Sequence, residues 1–156
     1  MSASSVEVRD LVIEYASGGY AVRPIDGLDL DAAPGELVVL LGPSGCGKTS
    51  LLSVLGGILQ PTAGSVRVGG VAVESLRGAA LAEYRKQTVG FVFQAFNLIA
   101  SLNARENVAM PLMMAGVKRS RALERADRLL DRVGLADRAR HKPSKLSGGQ
   151  QQRVAV

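Results

Sequence analysis

The chain has 156 residues, of which 47% are hydrophobic and 21% are charged, a composition typical of a globular domain with a buried core. No apolar run approaches the roughly 20 residues that span a bilayer, and the first seven residues lack the basic start and apolar stretch of a signal peptide. The single cysteine, Cys46, excludes an internal disulfide and fits a reducing compartment.

Short strands are predicted at the beginning of the chain. Apolar residues recur over 6–15 and again over 28–30, where they alternate with aspartates, and Gly18–Gly19 interrupts the pattern between them. After a turn at Pro34–Gly35, the uninterrupted apolar run 37–41 predicts a strand buried on both faces of a parallel sheet.

That run leads into a glycine-rich loop that fits the P-loop pattern G-x-x-x-x-G-K-[ST] at every fixed position. Its residues are Gly42, Pro43, Ser44, Gly45, Cys46, Gly47, Lys48 and Thr49, and Ser50 follows. Glycines let backbone N–H groups turn inward and cradle phosphates. The pattern predicts that Lys48 reaches the β- and γ-phosphates of a nucleotide and that the Thr49 hydroxyl ligates Mg²⁺.

Cys46 occupies a variable position of this loop and allows two interpretations. A neighbouring helix N-terminus and Lys48 are the surroundings that activate a thiol as a nucleophile. The sequence near Cys46 holds no histidine–aspartate pattern of a catalytic triad, and we favour a small residue that fills space.

The P-loop is followed by a predicted helix and a predicted hairpin. Apolar residues recur with helical period over 49–58, and Pro61 with Gly64 is expected to end that helix. Alternating valines over 66–73 surround Gly69–Gly70 and predict a β-hairpin. Residues 76–86 are expected to be helical.

The second half of the chain is predicted to be mostly helical. A short strand at 89–93 should end at Gln94, and a helix over 103–116 should be disturbed by Pro111. Another apolar stripe of helical period covers 122–133 and stops at Gly134.

A second glycine motif, Leu146-Ser147-Gly148-Gly149-Gln150, opens the last predicted helix. With the P-loop upstream, it resembles the signature motif of ATP-binding cassette (ABC) ATPases. The resemblance implies an α/β P-loop NTPase with a RecA-like core, an antiparallel β subdomain and a helical subdomain, its C-terminal part missing. We expect the β subdomain and P-loop core at 1–94, the helical subdomain at 95–145, and the signature motif with the start of its helix at 146–156.

The same resemblance assigns further residues of an ATP and Mg²⁺ site. Tyr15 matches the aromatic residue that stacks on adenine, with Tyr20 as the alternative, and Val22 matches an apolar residue beside the base. Gln94 matches the glutamine that approaches Mg²⁺ and the attacking water, which makes it a catalytic candidate together with Lys48. A further group would bind the phosphates of a partner's ATP: Ser147, Gly148, Gly149 and Gln150.

Residues 89–98 and 106–112 resemble the lipoprotein-releasing and macrolide-exporter branch of the family. The resemblance implies an ATP-binding subunit that dimerises head to tail with a second copy and couples ATP hydrolysis to transport or lipoprotein release. It also implies a transmembrane permease that contacts the Gln94 loop and residues 95–116. The protein would be peripheral, on the cytoplasmic face of the inner or plasma membrane.

The family's catalytic domain also uses an Asp-Glu pair after a further strand and a later switch histidine, and no residue of this sequence matches them. His141 precedes the signature motif and does not correspond to that histidine. We therefore expect the 156 residues alone to be poorly stable and inactive in hydrolysis. A truncated, non-catalytic nucleotide-binding module remains the alternative.

A soluble ABC-type protein acting on ribosomes or DNA is a third hypothesis. Leu146 lies 52 positions after Gln94, an interval without the long coiled-coil insertion of DNA-repair ATPases. Much of the net charge of +5 lies over 118–142, which allows a patch for nucleic acid or anionic lipid. Acidic residues interleave there and aromatic ones do not, so we favour a solvated helix face and no nucleic acid partner.

Overall fold

The computed structural model describes residues 4–17 and 19–156, so Gly18 of the predicted Gly18–Gly19 break lies outside the described residues. The chain divides into two compact units, one extending to Gly90 and the other comprising Phe91–Val156. The predicted division at residue 94 stays a prediction.

The first unit is built on a four-stranded antiparallel sheet in the order β2-β1-β3-β4. β1 (Val6–Ser17) and β2 (Tyr20–Ala32) form a long pair where the sequence predicts only short strands over 6–15 and 28–30, and β3 (Ala63–Val68) with β4 (Val71–Ala72) forms the predicted hairpin. β1 lies in the middle, pairing with both β2 and β3. The antiparallel β subdomain of the sequence analysis is therefore present.

The core of this unit lies between the sheet and two helices, α1 (Lys48–Leu55) and α2 (Gly78–Gln87). Val8, Leu11 and Ile13 of β1 supply its centre. Leu11 and Ile13 share a face because successive side chains of a strand point to opposite faces, and an irregularity between Val8 and Leu11 brings Val8 to the same core. The α1 side chains Leu51 and Val54 pack on that apolar face. The sheet thereby fixes the position of α1, which begins within the P-loop.

Tyr84 of α2 is a buried residue of this core that also makes a hydrogen bond. Its side chain is buried, and its hydroxyl donates a 2.5 Å hydrogen bond to the carbonyl oxygen of Leu55. Burial raises the pKa of Tyr84 to about 12 from the ordinary 10. The buried phenol is therefore held in its neutral form.

We predict that Tyr84→Phe lowers the free energy of unfolding by about 1 kcal/mol near neutral pH, since the Leu55 carbonyl loses its donor. The folded pKa is raised, so the wild-type contribution is complete below pH 10 and is lost as pH rises from 10 to 12. Urea unfolding across that range should show the wild-type advantage shrinking. Tyr20→Phe at an exposed tyrosine is the control, and a difference that does not change with pH would contradict the titration.

The prediction of a parallel strand at 37–41 is wrong: residues 37–41 form no strand in the described part of the chain. The turn at Pro34–Gly35 is formed, with the Glu36 amide donating to the Ala33 carbonyl at 3.1 Å. The segment that follows pairs with no strand in the described part of the chain, and Leu37 and Leu41 are each 87% exposed. An apolar run becomes a strand only where neighbours complete its hydrogen-bond ladder.

The predicted strand at 89–93 is also absent, for the same reason, within residues 4–17 and 19–156. One residue of this segment does contribute to the interior: Val89 is partly buried and packs against the core of the first unit. The predicted helix after the P-loop exists but ends at Leu55, earlier than Pro61. Gly57 adopts φ 65° there, and its amide bonds to the Val54 carbonyl, which closes the last turn.

The second unit contains three helices among its described residues: α3 (Ala104–Met114), α4 (Arg119–Arg132) and α5 (Gly148–Ala155). Pro111 lies inside α3 without ending it. Small buried residues allow α3 and α4 to pack closely, namely Ala109, Ala122 and Ala126. Three short 3₁₀ helices complete the elements seen in the described chain, at Val73–Ser75, Ala136–Arg138 and Pro143–Lys145.

Among the described residues, none of the helices has both the length and the apolar character that crossing a membrane requires.

Candidate functional site

The P-loop has the backbone conformation that its glycines predict. Gly45 and Gly47 adopt φ of 84° and 92°, in the left-handed region that disfavours side chains. A Cβ on Gly47 would lie 2.7 Å from the Pro24 carbonyl oxygen and 2.8 Å from a side-chain carbon of Ile25. The loop thus lies directly on β2 at this position and requires glycine there.

The loop ends where α1 begins, with Gly47 as the N-cap residue. Gly47 has no side chain to cap the helix, and the first turn of α1 contains no acidic residue. The first amides of a helix have no acceptor within it, so those of Lys48, Thr49 and Ser50 remain available. They present a partial positive charge suited to an anion.

The Lys48 ammonium lies over this loop. Its Nζ donates to the carbonyl oxygens of Gly42 at 2.8 Å and Pro43 at 2.7 Å, and lies 3.4 Å from the Cys46 sulfur. A Cβ on Gly42 would meet that sulfur at 2.8 Å. The sulfur of the exposed Cys46 therefore occupies the space that a side chain at Gly42 would need, and the ammonium is held beside the open amides.

Tyr15 is the aromatic residue that the structure places beside the P-loop helix. Its hydroxyl bonds to the Ser50 hydroxyl at 3.1 Å, and it is paired across the sheet with Val22. Both side chains are exposed, and as cross-strand partners they form an apolar surface on one face of the sheet. Tyr20 is paired with Ser17 near the end of the hairpin and is 80% exposed. This geometry favours Tyr15 over Tyr20.

Gln94 lies in the second unit, in an exposed loop with unusual backbone conformation. Phe96 and Asn97 follow it with φ of 59° and 47°, values that non-glycine residues adopt rarely. The Phe96 amide donates to the Phe93 carbonyl at 2.9 Å, and the Phe93 ring lies 4.6 Å from that of Phe91. The loop therefore has a defined turn that leaves the Gln94 side chain facing solvent.

Asn107 of α3 is a residue whose importance the sequence analysis missed. Its Oδ1 accepts from the Ile99 amide at 2.7 Å, while its Nδ2 bonds to three carbonyls. Those carbonyls belong to Ile99, Leu102 and Asn103. One side chain thus ties the loop before α3 to the helix. The available signal was an asparagine one turn into a predicted helix, because asparagine side chains often bond to nearby backbone groups.

The second glycine motif opens α5 through a capping box. The Ser147 hydroxyl accepts from the Gln150 amide at 3.3 Å, and the Ser147 amide donates to the Gln150 side chain at 2.9 Å. Gln150, predicted as a phosphate-binding residue, has its side-chain oxygen engaged in this cap. Gly148 and Gly149 are exposed, and a Cβ on either would meet nothing within 4 Å.

The predicted site residues therefore fall into two groups. Tyr15, Val22 and residues 42–50 belong to the unit that ends at Gly90, whereas Gln94 and residues 147–150 belong to the other unit. Within the first group, an ammonium, free helix amides and an apolar surface occur together. That donor set fits a nucleotide, and the exposed Thr49 hydroxyl is an oxygen ligand of the kind that Mg²⁺ accepts.

Comparison with known proteins associates this arrangement with one family. Residues 25–156 match the family described as ABC transporter. An uncharacterised ABC transporter ATP-binding protein of Mycobacterium bovis is 64% identical over 96% of this chain, which covers 45% of that relative. The chain therefore spans about half the length of this curated relative.

Two further relatives carry functional names. The lipoprotein-releasing system ATP-binding protein LolD of Geobacter metallireducens is 51% identical over 99% of this chain and 68% of its own length. The macrolide export ATP-binding/permease protein MacB of Rhodospirillum rubrum is 48% identical over 97% of this chain and 23% of its own length.

A solved structure has the same fold. It is a dimeric ATP-binding cassette in a post-hydrolysis state bound to ADP and Pi, with a TM-score of 0.90 and 36% identity. The match covers 96% of this chain and 66% of that one. The α/β P-loop NTPase fold and the suspected family are confirmed.

Proposed function

Because this chain belongs to the ABC transporter family, we propose that it is an ATP-binding subunit. Its P-loop would hold Mg-ATP, and the whole protein would hydrolyse that ATP to drive transport or lipoprotein release. The observation that carries the proposal is the Lys48 ammonium beside the uncapped start of α1. A triphosphate is the nucleotide feature that needs both a positive charge and several N–H donors in one place.

Each P-loop residue has a distinct part in this binding. The amides of Lys48, Thr49 and Ser50 would donate to phosphate oxygens, and the Lys48 ammonium would exchange its loop carbonyls for the β- and γ-phosphates. Thr49 and Gln94 would hold Mg²⁺, which neutralises phosphate charge when bound. Gln94 would also orient the attacking water in the whole protein.

The second glycine motif would act on the ATP of a partner. Gly148 and Gly149 are exposed at the start of α5 without steric obstruction, so a phosphate of another copy could approach their backbone. Ser147 keeps its hydroxyl at the same helix end, while Gln150 would serve mainly by capping. A head-to-tail dimer would combine the P-loop of one copy with this motif of the other, and the solved relative with ADP and Pi is dimeric.

The second unit would face a membrane permease through the Gln94 loop and residues 95–116. The defined turn after Gln94 and the Asn107 hydrogen bonds would keep that surface in one conformation. The names of the LolD and MacB relatives support the lipoprotein-releasing and macrolide-exporter branch. The protein would then lie peripherally on the cytoplasmic face of the inner or plasma membrane.

Nucleotide binding by two tyrosine variants tests whether Tyr15 is the residue that stacks on the adenine base. We expect Tyr15→Ala to weaken ATP binding by about tenfold or more, since stacking contributes about 1–3 kcal/mol per base. Tyr20→Ala, the matched control at the exposed end of the same hairpin, should bind ATP as the wild type does. Equilibrium dialysis with Mg-ATP measures both, and a loss confined to Tyr20→Ala would reject Tyr15 in favour of the alternative.

A further inference from the structure

The net positive charge of this chain arises from one segment. Residues 118–142 contain nine of the 19 lysines and arginines but only four of the 14 aspartates and glutamates. The rest of the chain has ten residues of each sign and no net charge. The entire excess of +5 therefore lies over Lys118, α4 and residues 133–142, which follow α4 in sequence.

Within α4, four arginines form a single row, which we call the arginine stripe: Arg121, Arg125, Arg128 and Arg132. Their spacing of four, three and four residues keeps them within about 60° of the helix circumference and spreads them over about 16 Å. All four side chains are exposed. The opposite side of the helix, with Ala122, Ala126 and Leu130, is buried in the unit.

The interleaving acids of α4 leave most of this stripe without a partner. Asp127 pairs with Arg105 of α3 at 2.5 Å, and Glu124 pairs with Arg128 at 2.6 Å. Arg121, Arg125 and Arg132 form no salt bridge with any residue in the described part of the chain. The acidic residues that make the sequence look balanced are therefore placed to the side of the stripe or engaged elsewhere.

We propose that the arginine stripe docks on the phosphate headgroups of an anionic phospholipid bilayer. Guanidinium groups bind phosphate oxygens through paired N–H donors, and a straight row on one side of a helix matches a flat charged surface. Residues 118–142 contain no aromatic side chain on which a base could stack, which disfavours nucleic acid.

The choice of a membrane as the partner rests on the proposed function, which places α4 near a bilayer. α4 packs against α3 through Ala109, Ala122 and Ala126, and α3 is the helix that we assign to the permease surface. A subunit held at a permease keeps α4 near the bilayer. The stripe would then add an electrostatic contact with the bilayer, and added salt would weaken that contact by screening the charges.

Vesicle sedimentation with the whole protein tests the docking directly, using phosphatidylcholine vesicles with and without phosphatidylglycerol. The stripe variant is Arg121→Gln/Arg125→Gln/Arg132→Gln. The control, Arg67→Gln/Arg85→Gln/Lys86→Gln, removes the same charge from exposed positions of the first unit. A third variant with lysine at the three stripe positions keeps the charge. Circular dichroism checks that all variants retain their helices.

Wild type should sediment with the anionic vesicles and not with phosphatidylcholine alone. The stripe variant should lose affinity by about tenfold or more, while the control and the lysine variant stay within about threefold of wild type. Equal losses in stripe variant and control, binding to neutral vesicles, or tighter binding to an oligonucleotide would overturn the proposal. The assay needs neither ATP nor permease, so its failure would leave the proposed nucleotide function untouched.

Discussion

Replacing Lys48 by alanine is expected to lower ATP turnover of the whole protein by at least about a hundredfold, the scale for removing one donor to the charge that develops during reaction. Affinity for Mg-ATP should fall as well, by about tenfold or more, because a charge-assisted bond to phosphate is lost. Both effects follow from the position of the ammonium beside the free amides of α1.

The loss should not arise from unfolding. Lys48 Nζ bonds to carbonyls of exposed loop residues, which water can solvate in the variant. Lys86→Ala is the control, because Lys86 is an exposed lysine of the same unit that pairs with Glu83. Isothermal titration with Mg-ATP and a phosphate-release assay give the two readouts. Turnover within about twofold of wild type would show that Lys48 does not act on the phosphates.

Substituting Gly148 by aspartate is expected to separate nucleotide binding from dimerisation. A Cβ at Gly148 meets nothing within 4 Å, and an acidic residue in the first turn of a helix is favourable, so α5 should form normally. In a head-to-tail dimer the new carboxylate would repel the partner's phosphates. We expect ATP binding to stay unchanged, while ATP-dependent dimerisation is lost and turnover falls by at least about a hundredfold.

Gly148→Asn is the matched variant, since it has the size of aspartate without its charge. It should retain part of the dimerisation that Gly148→Asp loses. Analytical ultracentrifugation with and without Mg-ATP measures the difference. An aspartate variant that dimerises as wild type does would exclude Gly148 from the shared site.

The two glycine motifs could be predicted from sequence because their chemistry is local. Glycines at 45 and 47 are required by the left-handed backbone of the loop and by its contact with β2, and Ser147 is a standard helix N-cap. Antiparallel strands with alternating residues were predictable for a similar reason, since the period of two is visible in the chain itself.

Features that depend on distant neighbours were not predictable. The apolar runs 37–41 and 89–93 have strand composition, but a strand also needs hydrogen-bond partners, and none of the described residues provides them. The stripe was hidden because acids alternate with arginines along the sequence, whereas helical geometry separates them.

Mixing two inactive variants tests the central claim that one ATP is shared by the P-loop of one copy and the second glycine motif of the other. One whole-protein variant carries Lys48→Ala and the other carries Gly148→Asp. In a mixed head-to-tail dimer, both changes fall in one site and the second site is intact. We predict that ATP turnover, lowered at least about a hundredfold in each variant alone, rises well above both on mixing. Turnover that stays at the level of the separate variants, although mixed dimers form, would contradict the shared site.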